Sequence, residues 1–173
     1  MNAQREIFLQ PGDWHFGGPD LVLRTLLGSC IAVTLWHPQT HTGGMCHFLL
    51  PRRFGASDGR LDGRYGEEAI ASLLRALQQQ GRRAREFHCK IFGGGNMFGR
   101  PLNKDPVASN EQCTDVPCRN IRAASTLVRD AGFDLQGVHV GGAGHRNLSF
   151  YLHSGEVLLR FVGNDAQIWR KPQ

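Results

Sequence analysis

Three short apolar, β-branched-rich runs open the readable part of the chain: Leu21 to Leu27 (LVLRTLL), Ile31 to Trp36 (IAVTLW) and Met45 to Leu50 (MCHFLL). Their length and composition predict strands. Gly28-Ser29-Cys30 joins the first two, and His37 to Gly44, with Pro38 and paired glycines, predicts a turn before the third. Pro51 ends that strand, and the polar, Gly-rich stretch from Arg52 to Gly66 reads as loop. From Glu67 to Gln80 the period changes: Ala69, Ile70, Leu73, Leu74 and Leu77 form one stripe at helical spacing. Glu67 and Glu68 favour the helix start and Gly81 its stop. Glu86 to Phe92 alternates as a strand does and runs into Gly93-Gly94-Gly95, while Gly99 to Val116, with Pro101 and Pro106, reads as loop. Cys118 to Ala131 predicts a second helix, with Ile121, Ala124, Val128 and Ala131 on one face and Pro117 at its start. Leu135–Val140, Leu148–Leu152 and Glu156–Val162 predict three further strands, the last two joined by a hairpin at His153-Ser154-Gly155. The predicted order is β-β-β-α-β-α-β-β-β. With no repeat and no linker, it implies one α+β domain over 1–173, its helices covering a largely antiparallel sheet.

Composition narrows the function classes. At 173 residues and 19.2 kDa the chain is long enough to bury a core without staples. No apolar run is long enough to span a membrane, and the start, MNAQREIFLQ, lacks a signal-peptide core, so a cytoplasmic location is expected. The net charge of +5 suits nucleic acid, an anionic surface or an acidic protein partner. The basic runs Arg82-Arg83-Ala84-Arg85 and Pro51-Arg52-Arg53 read as a solvated helix end and loop, and no nucleic-acid-binding motif accompanies them. The five cysteines are odd in number and irregularly spaced, which argues against a disulfide framework and for a reducing compartment.

The chemistry-bearing candidates centre on Cys30. A cysteine that follows a Gly-Ser turn and enters a strand is partly exposed, with backbone N–H groups nearby that can converge on an oxyanion; Gly28 and Ser29 are the candidates to shape that hole. A buried structural cysteine is the commoner use of such a residue. His47 shifts the balance: if the second and third strands pair antiparallel, the turn between them returns His47 to the start of the second strand, beside Cys30. Thr25 is either a third polar group that orients the imidazole or an ordinary strand former. His15, His37, His41, His88, His139, His145 and His153 read as surface or packing residues. Cys113 and Cys118, with His88 and Cys89, make one wide pair where structural zinc sites need two knuckles, so no metal is expected. Gly93 to Gly99 (GGGNMFG) lacks the phosphate-loop and dinucleotide fingerprints and reads as a tight turn after a strand.

Three blocks together carry a resemblance: Thr25 to Val33 (TLLGSCIAV), Gly44 to Pro51 (GMCHFLLP) and Lys90 to Phe98 (KIFGGGNMF), supported by Arg119-Asn120-Ile121 and by Gly141 to Arg146 (GGAGHR). In this order they resemble the chemoreceptor glutamine deamidase family, CheD, over roughly residues 20 to 162. The resemblance implies a layered α-β-β sandwich akin to that of deamidating toxins. It also implies a cytoplasmic enzyme that hydrolyses side-chain amides of particular glutamines on chemotaxis receptors, with Cys30 as nucleophile and His47 as base. Thr25 corresponds to the family's third polar residue, no cofactor or metal is implied, and the enzyme is expected to be a monomer that neither enters the membrane nor binds nucleic acid. The alternative it brings is a non-catalytic role as partner and regulator of a CheC-type phosphatase. One departure stands out: Val140 occupies a position where the family pattern would have an Asp just before the paired glycines.

Overall fold

Which faces the strands bury decides how this chain layers. The computed structural model describes residues 4–98 and 113–163. Strand β3 (Leu21–Leu27) turns Leu21, Leu23, Thr25 and Leu27 inward and leaves Arg24 and Leu26 exposed, so one of its faces is solvated beyond the first residues. β4 (Ile31–Trp36) and β5 (Gly43–Phe48) are buried on both faces almost throughout, which is why they read as unbroken apolar runs rather than alternating ones. They form the middle of a five-stranded sheet, in the order β2 (Trp14–Gly17), β5, β4, β6 (His88–Gly93), β7 (Asp134–Val140). β3 belongs to a second, four-stranded sheet in the order β1 (Arg5–Phe8), β3, β8 (Gly144–Tyr151), β9 (Glu156–Gly163). Pairing is antiparallel except for β1 with β3 and β6 with β7.

Two helices cover the outer face of the five-stranded sheet: α1 (Gly66–Gln79) and α2 (Val116–Asp130). Ile70, Leu73 and Leu77 of α1 and Ile121, Ala124 and Val128 of α2 bury against Val33, Phe48 and Ile91. The opposite face supplies Ala32, Met45 and Phe92 to a second core shared with Leu23, Leu27, Leu148 and Phe150 of the other sheet. The result is three layers, helices, sheet and sheet, which is the α-β-β sandwich that the resemblance implies. α2 starts on Asp115, whose carboxylate accepts the Cys118 N–H at 2.9 Å, with Pro117 in its first turn. Such a cap contributes about 1 kcal/mol.

The structure departs from the sequence-based expectations in several places, β8 starting at Gly144 rather than Leu148 among them. β1 and β2 add two N-terminal strands that no alternation announced, and the one sheet read from the strand pattern alone is two, as the resemblance implies. The strand expected from Glu86 begins at His88, after one turn of 3-10 helix over Ala84–Glu86, whose N-terminus the Glu86 carboxylate caps at the Arg83 N–H. The third strand is shifted, with Gly43 and Gly44 inside β5 and Leu49 and Leu50 beyond it. Finally, Cys113 and Cys118 are joined by a disulfide, where the odd, irregular cysteine count argued against a disulfide framework. Capping folds the chain so that their Cα atoms lie 5.4 Å apart, within bridging range. Most of the loop expected over 99–116 lies outside the described residues, and Val116 is already helical.

Candidate active site

The layer between the sheets holds an apolar core with a buried polar pair inside it. Thr25 reaches inward from β3 and His47 from β5, and Thr25 Oγ1 lies 2.8 Å from His47 Nδ1. Both residues are 1% exposed, so neither can exchange this partner for water. Thr25 has a single hydroxyl proton, and Oγ1 also lies 2.8 Å from the carbonyl oxygen of Leu9, which can only accept. The proton therefore goes to Leu9, and Nδ1–H of His47 donates to Thr25. This fixes the tautomer: Nε2 carries the lone pair, and among the described residues it has no hydrogen-bond partner. Burial pushes the His47 pKa down to about 4, against the opposing pull of the Leu9 carbonyl and of Asp13, so the ring is neutral near pH 7.

The main chain of His47 is held on both sides. Ala32 of β4 is its registered neighbour on one side, and on the other Gly12 N–H donates to its carbonyl at 2.7 Å while its own N–H donates to Asp13 at 3.0 Å. Cys30 stands just before β4, two residues from Ala32, and so shares the face on which Ala32 and His47 lie. Its contacts agree, because it packs against the inter-sheet core. It is a free thiol, partly exposed where His47 is sealed. Burial raises its pKa and the Ser29 hydroxyl pulls the other way, leaving the resting pair a neutral thiol and a neutral imidazole.

The turn that carries Cys30 is tied down through three successive carbonyls. Gly28 O accepts from Gly95 N–H at 2.8 Å, Ser29 O from Asn120 Nδ2 at 3.1 Å, and Cys30 O from Gly94 N–H at 2.8 Å. The N–H groups of Ser29 and Cys30, by contrast, donate to no carbonyl among the described residues. Gly93, which ends β6, and the two glycines after it are thus a main-chain brace. A side chain at Gly93 would collide with the Cys30 carbonyl, one at Gly95 with the Gly144 carbonyl, and one at Gly94, whose φ is +62°, with Ile121.

The candidate site residues Gly28, Ser29, Cys30, His47 and Thr25 therefore lie at one end of the inter-sheet layer. A cleft of about 350 Å³ opens around Trp36, Lys90 and Glu156 at the other end of β4 and holds no cysteine. Two contributors went unrecognised in the sequence. Leu9 acts through its main-chain carbonyl, which leaves no side-chain signal. Asn120 gave one: it is a polar residue four positions before Ala124, on the apolar stripe of α2.

Residues 49–161 match the family model described as CheD chemotactic sensory transduction. The probable chemoreceptor glutamine deamidase CheD 3 of Dechloromonas aromatica is 41% identical over 164 residues, covering 94% of this chain and 92% of its own. The protein named probable chemoreceptor glutamine deamidase CheD 1 in Chromobacterium violaceum is 42% identical over 170 residues, 98% of this chain and 84% of its own. A third, CheD 2 of Albidiferax ferrireducens, is 45% identical over 154 residues, 88% of this chain and 84% of its own. The chain belongs to the CheD family. The family model starts after His47, but a match over 170 of 173 residues necessarily includes Cys30 and His47. In this CheD chain Val140 packs on the helix-facing core, while its neighbour His139 bonds Arg146 Nε at 2.9 Å. The departure from the family pattern thus faces away from the layer that holds Thr25 and His47. No helix among the described residues is long and apolar enough to cross a membrane.

Proposed function

We propose that this CheD chain is a protein-glutamine deamidase that converts particular glutamines of chemotaxis receptors to glutamates, with Cys30 as nucleophile and His47 as general base. The observation that carries this reading is the Thr25–His47 hydrogen bond, which leaves Nε2 as an unpartnered base on the face that Cys30 shares.

The chemistry runs in two halves. His47 Nε2 takes the Cys30 proton as the sulfur attacks the glutamine carboxamide carbon, forming the C–S bond and an oxyanion. The N–H groups of the Ser29–Cys30 turn, shaped by Gly28, receive that charge; removing one such donor typically costs about 3 kcal/mol of barrier. The imidazolium then gives its proton to the amide nitrogen, the C–N bond breaks, and ammonia leaves. Water attacks the thioester carbon and passes a proton to His47, the C–S bond breaks, and the proton returns to sulfur. The net change is glutamine plus water to glutamate plus ammonia, with no cofactor or metal. Burial holds the Cys30 thiol above its ordinary pKa, which makes a base beside it necessary.

The substrate is an exposed receptor helix, acidic around its modified glutamines, for which a net charge of +5 provides attraction. Met97 and Phe98, 52% and 93% exposed, supply an apolar rim; the Met97 sulfur sits directly over Gly28. The enzyme works as a monomer in the cytoplasm, and its second protein contact is a CheC-type phosphatase. In a reducing cytoplasm the Cys113–Cys118 bridge opens to a dithiol, while the Asp115 cap on α2 persists because its hydrogen bond does not depend on the bridge. The test is ammonia release from a receptor fragment. Cys30→Ala and His47→Ala each lose at least about a thousandfold in kcat; full activity in Cys30→Ala would overturn the mechanism.

A further inference from the structure

Asn120 occupies a place that its surroundings do not explain. It is fully buried in the first half of α2, on the stripe that packs against the sheet. Its Nδ2 donates to the Ser29 carbonyl at 3.1 Å and to the Leu49 carbonyl at 2.7 Å, while its Oδ1 has no partner among the described residues. The amide cannot be turned over, because that would set its oxygen against two carbonyl oxygens. A buried acceptor left without a donor is a cost that a leucine of similar size would avoid. What Asn120 gives in return is a link between two strands' ends: Ser29 precedes the thiol, and Leu49 lies two residues beyond His47.

The geometry of the peptide unit says what that link does. In a trans peptide the C=O and the following N–H point in opposite directions. Holding the Ser29 carbonyl toward α2 therefore turns the Cys30 N–H away from the helix, toward the inter-sheet side where His47 lies. Gly95 and Gly94 hold the flanking carbonyls of Gly28 and Cys30, so the Ser29–Cys30 peptide is the one unit of the turn whose orientation depends on a side chain.

We propose that Asn120 is a positioning residue that presents the Cys30 N–H as an oxyanion donor, so that its loss impairs acyl transfer while leaving the thiol reactive. This rests on the Cys30/His47 reading above. The test pairs two assays on the full-length protein: ammonia release from a receptor fragment, and alkylation of Cys30 by iodoacetamide followed by mass spectrometry, a substitution at sulfur that needs no oxyanion hole. Asn120→Leu and Asn120→Ala are compared with wild type after their circular dichroism is matched. The expected result is a fall of about a hundredfold or more in kcat with KM within about threefold. The alkylation rate stays within about threefold, since the base–thiol pair is untouched. Three results overturn the proposal: kcat within about threefold of wild type in a folded variant, alkylation falling in step with kcat, or failure of both variants to fold. Activity retained in Cys30→Ala would instead remove the underlying mechanism, so the two failures are distinct.

Discussion

Cys30 and His47, the proposed nucleophile and base, sit in one layer but are held by different devices. Cys30 is fixed through main-chain carbonyls, two of them tied by glycine N–H groups that leave no room for side chains. His47 is fixed by a side-chain relay, from Leu9 through Thr25 to Nδ1, sealed from water. A main-chain brace tolerates most side-chain changes around it and fails when a Cβ is forced in. A relay of single hydrogen bonds fails when one hydroxyl is lost, although little else moves. The partition suits the proposed chemistry, in which the turn offers N–H groups at set directions and His47 keeps one tautomer.

Acid breaks the base side first. Folded His47 has a pKa of about 4 against 6.5 for the ordinary side chain. Between those values the unfolded chain holds more protons, so stability is full above about pH 6.5 and declines as the pH falls toward about 4. This residue alone accounts for about 3 kcal/mol across that window. Urea titrations from pH 7 to pH 4 should show the slope in the wild type and a smaller one in His47→Gln; equal slopes would place the lost stability elsewhere.

Gly94→Ala strikes the brace on Cys30. It forces a Cβ onto a backbone with a φ of +62° and into Ile121, at an expected cost of about 2–3 kcal/mol. A lower urea midpoint with unchanged slope measures it, and a midpoint equal to wild type would mean that the helix yields.

Thr25→Val is the smaller and sharper probe of the relay. It keeps the shape but removes the acceptor for Nδ1–H, so the ring loses its enforced tautomer. A fall of about 10–100-fold in kcat is expected, as for other partners that orient a functional histidine, with Thr25→Ser close to wild type. Equal activity in Thr25→Val would reduce Thr25 to a strand former.

How much of this the sequence foretold depends on the kind of signal. The strands at 21–27 and 31–36 were legible to the residue because both are apolar runs closed by turn chemistry. The alternation that points Leu21, Leu23 and Leu27 inward also places Thr25 inward; only its β-branched chemistry left its role open. β1 was not legible: Arg5, Glu6 and Phe8 are exposed, and the strand exists because it pairs in parallel with β3. The role of Leu9 belongs to a carbonyl, which no residue type encodes. The glycine run read as a turn, but its purpose appears only when Gly94 and Gly95 are seen bonding the carbonyls of Cys30 and Gly28.

The most direct measurement is mass spectrometry of a purified receptor signalling fragment incubated with wild-type protein and, separately, with Cys30→Ala. The account predicts a gain of about 1 Da, the change from amide to acid, at particular glutamines with the wild type and none with Cys30→Ala. The same gain with Cys30→Ala, or no gain with a folded wild type, would contradict it.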